Sequence, residues 1–145
     1  MIIKESFNAE DIKSVLCHPA IYDTISSDKS GPSSEFEPPI GGDDSFIVGY
    51  VEGVPMAVMV YHKYKDGKAC HIQVLPEYRK EYAKEFCRES LGFRDKEALY
   101  ARIPDLYKNV IDFALLNDFE IIGKEDANYI KNGVKYLTSI LKYRG

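Results

Sequence analysis

The sequence predicts an α/β (α+β) domain in which a mostly antiparallel, mixed sheet of about seven strands is flanked by about four helices. The first observation behind this prediction is the order of the elements: a strand, two helices, three strands, a helix, a strand, a helix and two strands. The second is the turn Lys65-Asp66-Gly67-Lys68, which joins two β-rich runs as a hairpin. The third is the length, because 145 residues make one ordinary domain, residues 1–145.

The N-terminal residues predict one strand and two short helices. Residues 1–6 include the β-branched Ile2 and Ile3 and suit a first strand. Asn8 can cap a helix, because its side chain can accept a hydrogen bond from a free N–H of the first turn. Pro19 has the fixed φ that favours the start of a second helix, which we expect to end near Ile25.

The segment 26–44 is rich in Ser, Gly, Pro and acidic residues, and it is long for a loop inside one domain. Its only large apolar residues are Phe36 and Ile40. So little apolar area cannot offset the entropy lost on ordering the chain. We therefore predict that this segment is the mobile part of the domain and a contact surface, anchored by these two residues.

Further strands and helices are predicted for the rest of the chain. The predicted strands are 45–52, 55–64, 69–75, 99–103, 119–122 and 134–143. Pro76 opens a helix that reaches about Leu91. Asp105 is expected to cap the last helix, which runs to about Asn117.

Composition favours a globular protein of the cytoplasm. The net charge is −4 and the isoelectric point is about 5.4, which argues against a general nucleic-acid binder. The three cysteines, Cys17, Cys70 and Cys87, are odd in number and widely spaced, as expected for a reduced intracellular chain. The start of the chain lacks the features of a signal peptide, and no apolar run approaches the roughly 18 residues of a membrane span.

The segment from Cys70 to Phe93 carries a motif centred on Val74-Leu75-Pro76-Glu77-Tyr78-Arg79. It resembles the cofactor-binding segment of the GNAT superfamily of N-acetyltransferases, in which a strand runs into a helix and the turn between them cradles the pyrophosphate of acetyl-CoA. The order of elements resembles that family along nearly the whole chain. The resemblance implies a GNAT-like fold and a cofactor-binding role for Val74, Leu75, Arg79, Lys80 and Lys84.

The family pattern over that turn is Arg/Gln-x-x-Gly-x-Gly/Ala. This chain keeps the arginine as Arg79 but has Tyr82 and Lys84 at the two glycine positions. A phosphate approaches the backbone closely there, and a Cβ would intrude, so we expect acetyl-CoA to bind weakly or not at all. The alternative interpretation is a surface helix with three i,i+3 ion pairs, Glu77–Lys80, Glu81–Lys84 and Glu85–Arg88.

A second family segment lies between Tyr107 and Phe119. In GNATs an Asn here contacts the cofactor and a Tyr can act as general acid toward the leaving thiolate. Aligning Phe119 with the family Phe puts Ala114 at the Tyr and Tyr107 at the Asn, so both functional residue types are missing. A shift of one or two residues would bring Asn109 into register.

His71 is the candidate catalytic residue. It lies on the strand before the cofactor turn, on the same side as Gln73. GNATs often use a Glu or a bound water near this strand as a base, and an imidazole that titrates near neutral pH can take that role. The alternative is a strand histidine bonded to a neighbour. Because His18, His62 and His71 are far apart in the sequence, we expect no metal site.

The stretch from His18 to Ile25 is similar to the N-terminal part of GNAT-like proteins of tailed bacteriophages. Together with the missing glycines and general acid, it implies a non-catalytic phage protein of virion or head assembly or of DNA delivery. Its partners would be other proteins, such as virion components, in the host cytoplasm or the virion. Two alternatives stay open: an active N-acetyltransferase that moves an acetyl group from acetyl-CoA to an amine, and a sensor of CoA or a nucleotide.

Overall fold

The structure is a computed structural model that describes all residues from 1 to 145. Two short 3₁₀ turns, Ser33–Glu35 and Leu91–Phe93, accompany its regular elements. In chain order the strands and helices are β1 (Ile2–Glu5), α1 (Ala9–Leu16), α2 (Pro19–Ile25), β2 (Ser45–Val51), β3 (Val54–Tyr64), β4 (Gly67–Val74), α3 (Pro76–Ser90), β5 (Ala98–Pro104), α4 (Lys108–Leu116), β6 (Phe119–Lys131) and β7 (Val134–Tyr143).

Local chemistry sets where three of the helices begin. At the start of α1, the Asn8 side chain accepts a hydrogen bond from the Asp11 N–H (3.1 Å). Pro19 and Pro76 are the first residues of α2 and α3, where a missing N–H costs nothing. None of the helices combines the length and the apolar character needed to span a membrane.

The seven strands form one sheet in the order β1-β2-β3-β4-β5-β7-β6, with every neighbouring pair antiparallel except β4 and β5. This confirms the predicted fold class. Separate apolar cores cover the two faces of the sheet. The α3/α4 face packs on those two helices around Phe86, Ala114 and Leu141. The α1/α2 face packs on α1 and α2 around Ile12 and Ile21.

The parallel strands β4 and β5 stay together over only three residue pairs. Residues Gly67–Ala69 pair with Ala98–Tyr100, and beyond them the two strands no longer pair with each other. The strands therefore diverge toward their carboxyl ends and leave a gap, called here the β4/β5 opening. Such a gap at the carboxyl ends of parallel strands is a common place for a ligand site.

Asp105 does not cap α4, contrary to the prediction. The helix begins at Lys108, and no side chain caps it. The Asp105 carboxylate instead accepts hydrogen bonds from Lys124 Nζ (2.7 Å) and Ser139 Oγ (2.5 Å) on the last two strands. These bonds to Lys124 and Ser139, in that order of size, lower the pKa of Asp105. Asp105 therefore joins β5 to the C-terminal hairpin rather than starting a helix.

The last hairpin is longer than predicted, because β6 continues past Ile122 to Lys131. Its pairing with β7 shifts register between Glu125 and Tyr129. Asn128 lies in this bulge with a left-handed backbone (φ 55°), a conformation that asparagine tolerates better than most residues. The bulge absorbs the extra residues, and pairing resumes toward the hairpin tip.

The start of the 26–44 segment is hydrogen-bonded to the turn at the tip of this hairpin. The Asp28 carboxylate accepts hydrogen bonds from the backbone N–H groups of Asn132 (2.9 Å) and Gly133 (2.8 Å). The two large apolar side chains of the segment lie against the core of the α1/α2 face. These contacts show where the segment is attached; its mobility and its role as a contact surface stay predictions.

Candidate functional site

The carboxyl end of β4 turns main-chain polar groups toward the β4/β5 opening. Leu75 donates its N–H to the Met56 carbonyl on β3 (2.9 Å). Because hydrogen-bonded and non-hydrogen-bonded pairs alternate along antiparallel strands, the next pair, Val74 and Ala57, exchanges no hydrogen bonds. The N–H and C=O of Val74, and by alternation those of Ile72, therefore point away from β3. An extended ligand could hydrogen-bond to this side of the strand.

Arg79 folds back onto the strand that precedes its helix. Its Nε donates a hydrogen bond to the Val74 carbonyl oxygen (2.9 Å). That carbonyl is one of the acceptors that face the opening. The Arg79 side chain therefore already occupies a group that an extended ligand would otherwise use.

The residues aligned with the phosphate turn of GNATs lie inside a helix. Because α3 begins at Pro76, residues 79–84 belong to its first turns, and from Lys80 onward the carbonyl four residues earlier lies within the same helix. Pro76 has no N–H, and that of Tyr78 is donated to the Leu75 carbonyl (2.9 Å). The N–H of Glu77 has no carbonyl partner, and the N–H of Arg79 makes no bond to the Leu75 carbonyl.

The lysines proposed for the cofactor lie at different depths along α3. Lys80 is exposed in the first turns. Lys84 is eight residues into the helix, about 12 Å from its start. It lines a cleft of about 180 Å³ with Arg88, Leu116 and Tyr143, at the end of α3 away from the β4/β5 opening. The structure therefore does not bring Lys84 together with Arg79 and the end of β4.

None of the three predicted ion pairs of α3 forms. The seven ion pairs of the structure involve other residues. An exposed i,i+3 pair contributes only about 0.2–0.5 kcal/mol, and ordering two long side chains offsets that gain. That α3 is a surface helix agrees with the structure, since Phe86, Cys87 and Ser90 are its only buried residues.

The residues aligned with the functional Asn and Tyr of GNATs supply no general acid. Ala114 is buried against the α3/α4 core, and Asn109 is exposed. The Tyr107 hydroxyl lies 2.7 Å from the Tyr129 hydroxyl, which itself donates to the Ser26 carbonyl (3.0 Å). Tyr107 is therefore the donor of this pair. Burial and this hydrogen bond raise the pKa of Tyr107, so it stays protonated near neutral pH.

His71 meets a partner that sequence reasoning missed. Both His62 and His71 lie on the α1/α2 face of the sheet, and their Nε2 atoms are 2.7 Å apart. The ring centroids are 4.8 Å apart and the rings nearly coplanar, at 14°. With the two nitrogens 2.7 Å apart, this centroid distance places both Nε2 atoms close to the line that joins the ring centres. The rings therefore meet edge to edge through one hydrogen bond and are not stacked face to face. The hairpin register was the signal that could have placed His62 beside His71.

The hydrogen bonds assign the proton positions of this pair when both rings are neutral. His62 Nδ1 lies 3.2 Å from the Lys63 carbonyl, which can only accept, so this nitrogen carries the proton. His62 Nε2 is then the acceptor, and His71 Nε2–H is the donor. His71 Nδ1 is left with a lone pair and no hydrogen-bond partner. The alternative interpretation, a strand histidine bonded to a neighbour, describes the geometry of His71.

The charged neighbours of the pair come from β5 and β6. Arg102 donates from Nε (2.7 Å) and Nη2 (2.5 Å) to one oxygen of Glu125. Desolvation of the ring lowers the pKa of His71, and His62 and Arg102 lower it further. The lowered pKa favours a neutral ring near pH 7, and the residue still reaches solvent. No group of three or more His, Cys, Asp or Glu side chains converges in the molecule.

Solved structures share this architecture at low sequence identity. The protein smu.2055 from Streptococcus mutans has a TM-score of 0.78 and 12% identity over 99% of this chain and 98% of its own. An N-acetyltransferase from Staphylococcus aureus has a TM-score of 0.71 and 10% identity, covering 99% of this chain and 97% of its own. A spermidine N-acetyltransferase from Vibrio cholerae has a TM-score of 0.63 and 11% identity, covering 71% and 66%.

The sequence itself matches no protein-family model and no curated protein. Identities of 10–12% with these structures bear on the fold alone. The strand order, the divergence of β4 and β5 and these structural likenesses lead to one conclusion. This chain has the GNAT fold of the N-acetyltransferases.

Proposed function

We propose that this chain is a divergent GNAT-fold protein that does not transfer acetyl groups and acts by binding other proteins. The observation that carries the proposal is the position of residues 79–84 inside α3. A phosphate site at a helix start uses several free N–H groups, and here Pro76 has no N–H and that of Tyr78 is bonded to the Leu75 carbonyl. The Glu77 carboxylate adds a negative charge that opposes a pyrophosphate.

Two further features weigh against acetyl transfer. Arg79 holds the Val74 carbonyl, so the main chain of β4 cannot pair fully with an extended cofactor arm. The Ala114 side chain offers no proton to a leaving thiolate, and the raised pKa of Tyr107 suits a structural hydrogen bond better than proton transfer. The residues present therefore do not fit acetyl-CoA in the manner of the family.

The proposal extends to a phage protein of virion or head assembly or of DNA delivery, in the host cytoplasm or the virion. Its support is the resemblance of the stretch from His18 to Ile25 to phage proteins of this fold. In the structure this stretch forms α2 and joins the core of the α1/α2 face through Ile21. Neighbouring genes for capsid or tail components would support the assignment, and neighbours for metabolic enzymes would count against it.

Calorimetric titration with acetyl-CoA tests the loss of the cofactor site. We expect no dissociation constant in the low micromolar range, because the residues aligned with the phosphate turn lie inside α3 and not in a loop. The Vibrio cholerae spermidine N-acetyltransferase, titrated under the same conditions, serves as the positive control. Low-micromolar binding by this chain would overturn the proposal and favour an active N-acetyltransferase.

An acyl-CoA-dependent N-acetyltransferase is the second candidate, and one observation favours it. His71 presents an unpaired Nδ1 on β4, two residues beyond the last pairing of β4 with β5. A neutral imidazole at this position could accept the proton that an amine loses when it is acylated.

Substitution of this histidine tests the second candidate. If the chain is an enzyme, His71→Gln should lower the turnover of amines by about 100-fold, because glutamine keeps a polar group but cannot take a proton. His18→Asn is the matched control, since His18 caps α2 through its side chain and asparagine can do the same. Turnover that is unchanged in His71→Gln would remove His71 from the site.

A further inference from the structure

We propose that His62 and His71 form a two-histidine site for a divalent transition-metal ion such as Ni²⁺, Cu²⁺ or Zn²⁺, with water in the remaining coordination positions. This site does not depend on the function proposed above. The expectation of no metal rested on the distance between the histidines along the chain, and the β3–β4 hairpin removes that distance.

The two ligand atoms already converge. A metal bound tetrahedrally at about 2.0–2.1 Å from each nitrogen needs the nitrogens about 3.3 Å apart. The observed separation of Nε2 atoms is 2.7 Å and the two nitrogens face each other. The rings must therefore separate by about 0.6 Å and turn so that both lone pairs point at the metal. Small side-chain rotations can supply this, because both rings lie at the surface of a sheet whose backbone is fixed by the β3–β4 register.

Metal-binding histidines usually donate the N–H of their other ring nitrogen to a carboxylate, a backbone carbonyl or water, and His62 has such a partner. Its Nδ1–H points at the Lys63 carbonyl (3.2 Å), which holds the lone pair on Nε2 in the direction of His71. His71 Nδ1 has no partner and can carry the proton that must leave Nε2. The neutral His71 ring can thus change tautomer and offer Nε2 to the metal without a change in its charge.

The surroundings favour a borderline metal over a hard one. The donors are two imidazole nitrogens, which suit Ni²⁺, Cu²⁺ and Zn²⁺, whereas Mg²⁺ and Ca²⁺ require oxygen ligands. The positive charge of Arg102 would oppose a cation, but Glu125 pairs with it at 2.5 Å and offsets that charge.

Calorimetric titration with Ni²⁺ tests the site directly. We expect saturable binding of about one ion per chain, weakened roughly tenfold or more in both His62→Gln and His71→Gln. His18 is the only other histidine, and His18→Asn should leave the affinity unchanged. Equal affinity in all three variants, or no saturable binding by the natural chain, would overturn the proposal.

A second measurement locates the ion without relying on affinity. Cu²⁺ is paramagnetic and should first broaden the amide signals of residues 60–63 and 70–73, which surround the two imidazoles on β3 and β4. The same addition to His71→Gln should leave these signals sharp, with the rest of the spectrum showing that the variant is folded. Broadening centred on Cys17 and His18, or the same pattern in the variant, would contradict the site.

Discussion

Replacing Phe86 with alanine is expected to lower the free energy of unfolding by about 3–5 kcal/mol. The side chain is fully buried, with 0% of its surface exposed. Its ring lies 2.8 Å from where a Cβ on Gly49 would stand, so it packs directly on the backbone of β2. Removing it leaves a cavity between α3 and the sheet that the rigid β2 backbone cannot fill.

Urea denaturation followed by circular dichroism measures this loss. Leu116→Ala is the control, because 82% of Leu116 is exposed and its truncation should change stability by no more than about 0.5 kcal/mol. Equal losses in the two variants would show that α3 is not seated on the sheet through Phe86.

The second large effect is expected from Gly67→Ala at the closed end of the β4/β5 opening. A Cβ there would lie 1.9 Å from the Ala98 carbonyl oxygen and 2.8 Å from its carbonyl carbon. Both atoms are backbone, so relief requires β4 and β5 to separate. We expect a loss of about 3 kcal/mol in the free energy of unfolding.

Gly92→Ala makes the same chemical change where no atom lies within 4 Å of the added Cβ. Its effect should stay within about 0.5 kcal/mol. Urea denaturation of both variants gives the comparison. A Gly67→Ala protein as stable as Gly92→Ala would mean that the parallel pairing of β4 and β5 is looser than described.

The fold could be predicted from the sequence because its signals are local. Asn8 and the prolines at the starts of α2 and α3 act within one helical turn, and the turn after Tyr64 sets the register of a hairpin. The resemblance around Val74 also located the end of β4. Each of these features depends on residues close together in the chain.

The rest could not be predicted because its partners are distant. Asp105 looks like a helix cap in the sequence, but Lys124 and Ser139 compete for its carboxylate in the fold. His62 is an exception, because the register of the β3–β4 hairpin could have placed it beside His71. The return of Arg79 to the Val74 carbonyl depends on side-chain conformation, which no pattern of residue types specifies.

Hydrogen exchange of the amides of residues 80–84 is the decisive measurement for the loss of the cofactor site. In the structure this segment, which aligns with the phosphate turn, is helical, and its N–H groups face carbonyls of the same helix. We expect protected amides in the free protein and no change when acetyl-CoA is added. Fast exchange in the free protein that becomes slow with acetyl-CoA would contradict it, because the segment would then be a loop that binds the cofactor.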